Sequence, residues 1–248
     1  MARFFILLFG GLLAALGTIP SAHAQLTIDN VTRTIMPNER PIQNFNVHNI
    51  SDHRILKGTV EVREFFRNMD DTEATKPTND FMVAPASLIL RPGDRKVVRL
   101  VMRRPPSDDV ERYYDINFRA SIPKPLELEA LGLTQEELKK KSTINAQISV
   151  VSGIGAFLTV APKHINAKLT WSRDAAAITF KNEGNVSVDM RPRKHYCFDR
   201  DKKDCVELPF KRIYPGHTWR FPISGDKAIT YYYNIYNSTS PAVIGAVQ

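Results

Sequence analysis

Two cysteines, Cys197 and Cys205, bracket the stretch CFDRDKKDC and are the only thiols in this 248-residue sequence. Eight positions apart with a charged turn between them, they fit one disulfide across a hairpin in an exported chain. The competing reading, a redox or metal site, needs tighter Cys-x-x-Cys spacing or histidines in a ligand pattern. His195 stands two residues before Cys197, but no fourth ligand accompanies it. None of the six histidines falls in an HExxH spacing, and no Gly-x-Ser-x-Gly elbow, phosphate loop or dinucleotide fingerprint occurs. Aspartates and glutamates are scattered through strand-like runs and turns, where a solvated face is their ordinary role. These residues point away from an enzyme and call for no cofactor and no metal. Sequons at Asn30, Asn49, Asn185 and Asn237 suit glycosylation in a secreted eukaryotic protein and suit chance equally well in a chain of this composition.

The elements that would carry such residues begin with an address. Residues 1–24 hold a basic Arg3, an apolar run from Phe4 to Leu16 and the small-x-small triplet Ala22-His23-Ala24. This reads as a secretory signal peptide cleaved after Ala24; a membrane anchor needs a longer apolar run. The net charge of +8 loses only Arg3 with that segment. Such an excess raises nucleic acid or a membrane as partners, but export and the lack of a basic helix argue for a solvated surface that also attracts acidic partners.

Past residue 24, strand patterns follow one another with proline and glycine between them. LTIDNVTRTIM (26–36), IQNFNVHNIS, ILKGTVEVREFF, SLILRPGDRKVVRLVMR and ERYYDINFRASIP read as strands of an antiparallel immunoglobulin-type sandwich. One helical pattern, Pro125–Ser142, interrupts them; it carries a capping box at Thr134 and Glu137 and is either a lid or a long connection. After Pro162 seven further short runs appear, and Asn182–Asn185 (NEGN) reads as a hairpin turn. The expected organisation is an all-β chain of two immunoglobulin-like sandwiches at a fixed angle, residues 25–162 and 163–248.

The longest run is also the strangest. From Ile144 to Val160, INAQISVVSGIGAFLTV, every even-numbered residue except Ser152 is apolar. That is one strand with one greasy face, about 55 Å long at ~3.3 Å per residue. A typical strand is under about 20 Å. Either the first sandwich buries the whole face, or part of it waits for a partner.

Four stretches together resemble the periplasmic chaperones of the chaperone–usher pathway, which assemble bacterial pili. VTRTIM is similar to that family's first strand, FMVAPASLILRPGDRKVVRL to its middle segment and ERYYDINFRASIP to its signature strand. AAAITFKNEGNVSVDMRP is similar to the opening of its second domain. The resemblance covers nearly all of the chain after residue 24 and marks a divergent member.

It implies that Ile144, Ala146, Ile148 and Val150 are lent to pilin or fimbrial subunits that lack a strand, which are then handed to an outer-membrane usher. β-Augmentation of this kind gives an exposed apolar edge its use. Ile154–Val160 then belong to the chaperone's own sheet. The resemblance also implies that Arg33 grips the subunit's terminal carboxylate, a task suited to a forked guanidinium. The family's accompanying lysine is Phe157 here, so either Lys163 or another cleft base substitutes, or the carboxylate is held differently. Glu111 matches an acidic residue of the interdomain salt-bridge network, and Ala161 replaces that network's arginine. Two other classes remain: a secreted adhesin or structural protein pairing through the long strand, and an enzyme whose site forms only in three dimensions. A self-capping homodimer is a further possibility for the subunit-free chaperone.

Overall fold

A computed structural model describes residues 26–52, 54–130, 132, 153–190, 196–197, 205–206, 209–223, 228–236 and 238–244. Alternation in the first half folds it into two facing sheets. One contains β1 (Leu26–Ile28), β3 (Ile42–Asn49), β8 (Arg95–Met102) and β6 (Phe81–Ala84), in that order. The other runs β2 (Thr32–Ile35), β10 (Ile154–Val160), β9 (Arg112–Ser121), β4 (Leu56–Arg67), β5 (Glu73–Pro77), with β7 (Ser87–Leu90) also on β4. Phe45, Val98 and Leu100 from the first sheet meet Ile116, Phe118 and Leu158 from the second in a closed apolar core.

The second half repeats the plan. β11 (Leu169–Arg173), β12 (Ala177–Asn182) and β17 (Thr218–Pro222) face a sheet ordered β16 (Lys211–Ile213), β13 (Val188–Met190), β18 (Ile229–Ile235), β19 (Ser238–Ile244). Phe180, Val188, Met190, Ile213 and Tyr231 fill the space between them. The chain is all-β with two immunoglobulin-like sandwiches, as the alternation predicts. The single helix among the described residues, α1 (Pro125–Glu129), starts where the helical pattern starts. The capping pair Thr134 and Glu137 lies outside the described residues.

Three local readings are corrected. LTIDNVTRTIM is two strands, not one: β1 pairs with β3 in one sheet, β2 with β10 in the other. The crossing occurs at Asn30, which adopts φ 48°, a conformation asparagine tolerates better than most. NEGN forms no hairpin, because β12 pairs with β11 and β17 while β13 pairs with β16 and β18. The segment instead carries the chain between sheets, and a Cβ at Gly184 would stand 2.3 Å from the carbonyl oxygen of Asn166. Finally, β5 was not anticipated. Its residues, EATKP, are exposed or half-buried and show no apolar alternation, as suits an edge strand.

The crossing from β3 to β4 and the crossing from β12 to β13 use the same clasp. Asn49 and Asn182 are fully buried. The Asn49 side-chain amide donates to the carbonyls of Arg54, Leu90 and Arg91 at 2.8, 3.1 and 3.1 Å, and its Oδ1 accepts from Ser51 N–H at 3.0 Å. The Asn182 amide donates to the carbonyls of Val186 and Ile213 at 2.8 and 2.9 Å, and its Oδ1 accepts from Gly184 N–H at 3.0 Å. Each main chain also grips a Pro-Gly turn: Gly93 N–H donates to Asn49 O, and Gly216 N–H to Asn182 O. Both glycines sit near φ +79° and +78°, where other residues are strained.

Because the Asn49 amide is wholly engaged, this sequon is closed to glycosylation in the folded chain. Asn185, whose amide donates to the carbonyls of Asp109 and His164, is likewise occupied. Asn182→Ala leaves buried carbonyls without donors, and we expect a loss of about 2–4 kcal/mol in chemical denaturation. A loss below about 1 kcal/mol would show that water replaces the amide.

Candidate functional site

The strand predicted to reach beyond its own sheet is β10. Ala156, Leu158 and Val160 are buried in the first core, while Phe157 packs on the opposite face toward the second sandwich. On one side β10 pairs with β9 along its whole length, Ile154 to Val160. On the other it pairs, in parallel, with β2 over Phe157 to Val160 only. Among the described strands nothing pairs with that edge at Ile154, Gly155 and Ala156. A Cβ at Gly153 would lie 2.5 Å from the carbonyl oxygen of Phe118, so a glycine is needed where β10 closes on β9. The expected donor residues Ile144, Ala146, Ile148 and Val150 fall just before this open edge and lie outside the described residues.

Arg33 is in register with Leu158, which directs it to the sandwich side of β2. Its guanidinium lies 4.1 Å from the Phe45 ring centroid. Nη2 meets Asp29 Oδ1 at 3.1 Å and Nη1 meets Gln43 Oε1 at 3.4 Å, while the buried Nε has no hydrogen-bond partner. Burial pushes the Asp29 carboxyl up, but hydrogen bonds from Asn46 and the charge of Arg33 bring it below the usual range.

Lys163 does not join Arg33. It pairs with Asp108 at 2.8 Å on the surface, beside Met36, Pro106 and Ile165. The cation that does share a cavity with Arg33 is Arg212 on β16. Residues of both sandwiches line this cavity of about 340 Å³, among them Thr34, Thr159, Ser187, Asp189 and Tyr236. Arg212 forms a two-pronged pair with Asp189 at 2.6 and 2.9 Å, and its guanidinium lies 5.3 Å from the Phe157 ring centroid. Burial works against its charge, yet Asp189 holds it more firmly protonated than a free guanidinium. Sequence reasoning missed Arg212. The alternation Lys211-Arg212-Ile213 does turn it away from the core residue Ile213, but nothing local says which outward surface meets the other domain.

The domains are fastened by aromatics and one carboxylate. Phe65, Tyr113 and Tyr214 form a buried cluster with Phe157 against it, and the Tyr113 and Tyr214 rings meet edge-on at 4.9 Å. Glu111, 5% exposed, accepts hydrogen bonds from Ser187 N–H at 2.6 Å, from the Tyr236 hydroxyl at 2.7 Å and from the Tyr113 hydroxyl. The salt-bridge partner expected for Glu111 is thus replaced by neutral donors. Burial, then the charge of Glu111, pushes both phenols well above their ordinary pKa. Lys211 adds a surface ion pair to Asp71 of the first domain at 2.9 Å. In a separate two-stranded sheet, β14 (Tyr196–Cys197) and β15 (Cys205–Val206) set Cys197 directly opposite Cys205 in backbone register.

A family model for pili and flagellar-assembly chaperones, PapD N-terminal domain, matches residues 26–151, just over half of the chain. The chain belongs to this family. Solved structures share the fold across both domains. The class 5 fimbriae chaperone CfaA is 18% identical, with a TM-score of 0.59 over 90% of this chain and 100% of that one. The E. coli chaperone DraB is 14% identical, with a TM-score of 0.53 over 88% and 96%. A chain from the Salmonella enterica SafA pilin–SafB chaperone complex is 12% identical, with a TM-score of 0.53 over 90% and 97%. No curated protein matches the chain. The low identities suit a divergent member of the pilus-assembly chaperones.

Proposed function

We propose that this chaperone is exported to the periplasm after cleavage at Ala24, binds pilin or fimbrial subunits by donating the strand before Ile154, and passes them to an outer-membrane usher. The half-open edge of β10 carries this reading: among the described strands nothing pairs with it at Ile154, Gly155 and Ala156, and the alternating residues Ile144, Ala146, Ile148 and Val150 precede it in sequence. The SafA–SafB complex, in which a pilin is held by a chaperone of this fold, supports the choice of partner. In this proposal residues 25–162 and 163–248 are the two domains, and Cys197 and Cys205 form the disulfide that their register permits.

The subunit's terminal carboxylate is assigned to the cavity shared by Arg33 and Arg212. Asp29 and Asp189 keep the two forks positioned, and an incoming carboxylate competes with them. Lys163, tied to Asp108 outside that cavity, is the weaker candidate. The same open edge permits the second reading, self-association as a capped dimer or as an adhesin. Recovery from periplasmic extract with mass spectrometry of the co-purifying protein separates the two: a pilin supports capture, the chain alone supports self-pairing.

Arg33→Ala and Arg212→Ala are each expected to weaken subunit binding by about 2–5 kcal/mol, the cost of removing one partner from a desolvated charge pair. Arg33→Lys recovers little, since a point charge does not reproduce the fork. Titration against a purified subunit measures both. Binding unchanged in Arg212→Ala would return the second anchor to Lys163 or remove it.

A further inference from the structure

The outer face of the β1-β3-β8-β6 sheet carries charge that the proposed capture of subunits does not use. In β8 the outward residues are Arg95, Val97, Arg99 and Val101, alternating with the buried Val98 and Leu100. Register places Arg95 beside His48, Val97 beside Asn46, and Arg99 between Asn44 and Ala84; Val101 lies between Ile42 and Met82. No outward position of β3, β8 or β6 is acidic. Arg91 and Arg103, both exposed, stand at either end of β8. Among the described residues none of these four arginines meets a carboxylate with its guanidinium; Arg99 touches only the Asn44 side chain, at 3.2 Å. The acids at its margins are engaged elsewhere: Asp29 by Asn46 and Arg33, Asp94 by Arg91 N–H at 2.8 Å, and Asp80 by Arg104 and Arg112.

Apolar side chains stand exposed among these cations: Val97 is 49%, Met82 43% and Ile42 41% open to solvent. This combination departs from an ordinary solvated face, where acids interleave with bases and pair with them. It is a sheet surface, in which β8 is paired on both sides by β3 and β6 and its outward residues stand level with theirs.

We propose that this face docks on an anionic phospholipid bilayer, with the arginines at the headgroup phosphates and Val97, Met82 and Ile42 at the interface. A plane of charges with short apolar side chains between them matches a plane of headgroups over hydrocarbon. The basic helix missing from the sequence is not needed, because β8 presents Arg95 and Arg99 four residues apart on one face with Val97 between them. The edge of β10 belongs to the other sheet of the sandwich, so docking leaves it open.

Flotation with phosphatidylcholine vesicles containing about a third phosphatidylglycerol, at low salt, tests this. The full chain is expected to float with these vesicles and not with pure phosphatidylcholine, and to be released at about 0.5 M salt. Arg95→Glu with Arg99→Glu should cut the bound fraction at least tenfold without moving the melting temperature; Arg95→Gln with Arg99→Gln serves if the reversed pair misfolds. Val97→Ser should weaken binding several-fold at fixed charge, and no change would overturn the interfacial part. Equal binding to neutral vesicles, or full retention by both arginine variants, sinks the proposal. So does displacement from the vesicles by polyglutamate at matched charge, which would assign the face to an acidic protein.

Discussion

Ile148→Asp combined with Val150→Asp is expected to eliminate subunit capture while the free chaperone melts where the wild type does. Both residues share the even-numbered face of Ile154–Val160, and they precede the point at which β10 enters its own sheet. Inserted into a subunit groove, each would contribute roughly 1.5–3 kcal/mol of apolar burial, so two carboxylates there forfeit most of the affinity. In the free chaperone the same charges meet water and cost little. Leu158→Asp is the internal control. Leu158 is on the same face but 0% exposed, between β9 and β2, and an unpaired carboxylate there should unfold the first domain. A thermal melt and a pull-down on both variants decide the matter. If Ile148→Asp/Val150→Asp unfolds like Leu158→Asp, these positions are core and cannot be lent.

Glu111→Ala should be the most damaging single change at the domain boundary. It strands the Tyr113 and Tyr236 hydroxyls and the Ser187 N–H, which the two carboxylate oxygens now satisfy. With about 1–3 kcal/mol for each donor left unmet, and partial rescue by water, a net loss of about 3 kcal/mol is expected. That corresponds to roughly ten degrees in melting temperature for a chain of this size. Glu111→Gln should fall between, because its NH₂ faces groups that are themselves donors. An alanine variant as stable as wild type would mean that the aromatic cluster of Phe65, Tyr113 and Tyr214 fastens the domains by itself.

The parts legible in the sequence are those written in period 2. The alternation of IQNFNVHN, RKVVRLVM and RYYDINFR marks strands because one face of each is buried, and burial enforces the pattern. Where burial is absent the signal vanishes: β5 is an edge strand held by its backbone ladder with β4, and its side chains record nothing. Crossings between sheets were read as continuity at Asn30 and as a hairpin at Asn182–Asn185, because turn residues disclose a bend and not its destination. Asn49 and Asn182 looked like ordinary polar residues, and only the fold reveals that each satisfies several buried backbone groups. Of the site, the resemblance singled out Arg33. Arg212 required knowledge of how the second sandwich leans on Phe157, which is long-range information carried by no local window.

The pairing of β2 with β10 joins Thr32 to Phe157 and Ile35 to Val160. During synthesis the first of these strands is complete long before the second exists. Until β10 exists, β9, once made, has no neighbour on its β10 side, and β2 has none in its sheet. The nascent first domain is an immunoglobulin fold one strand short, with its groove facing solvent. Closure waits on a contact of high sequence separation, the class of event that makes β-sandwiches slow to fold. A protein proposed to shelter subunits with a missing strand thus passes through the same condition in its own making.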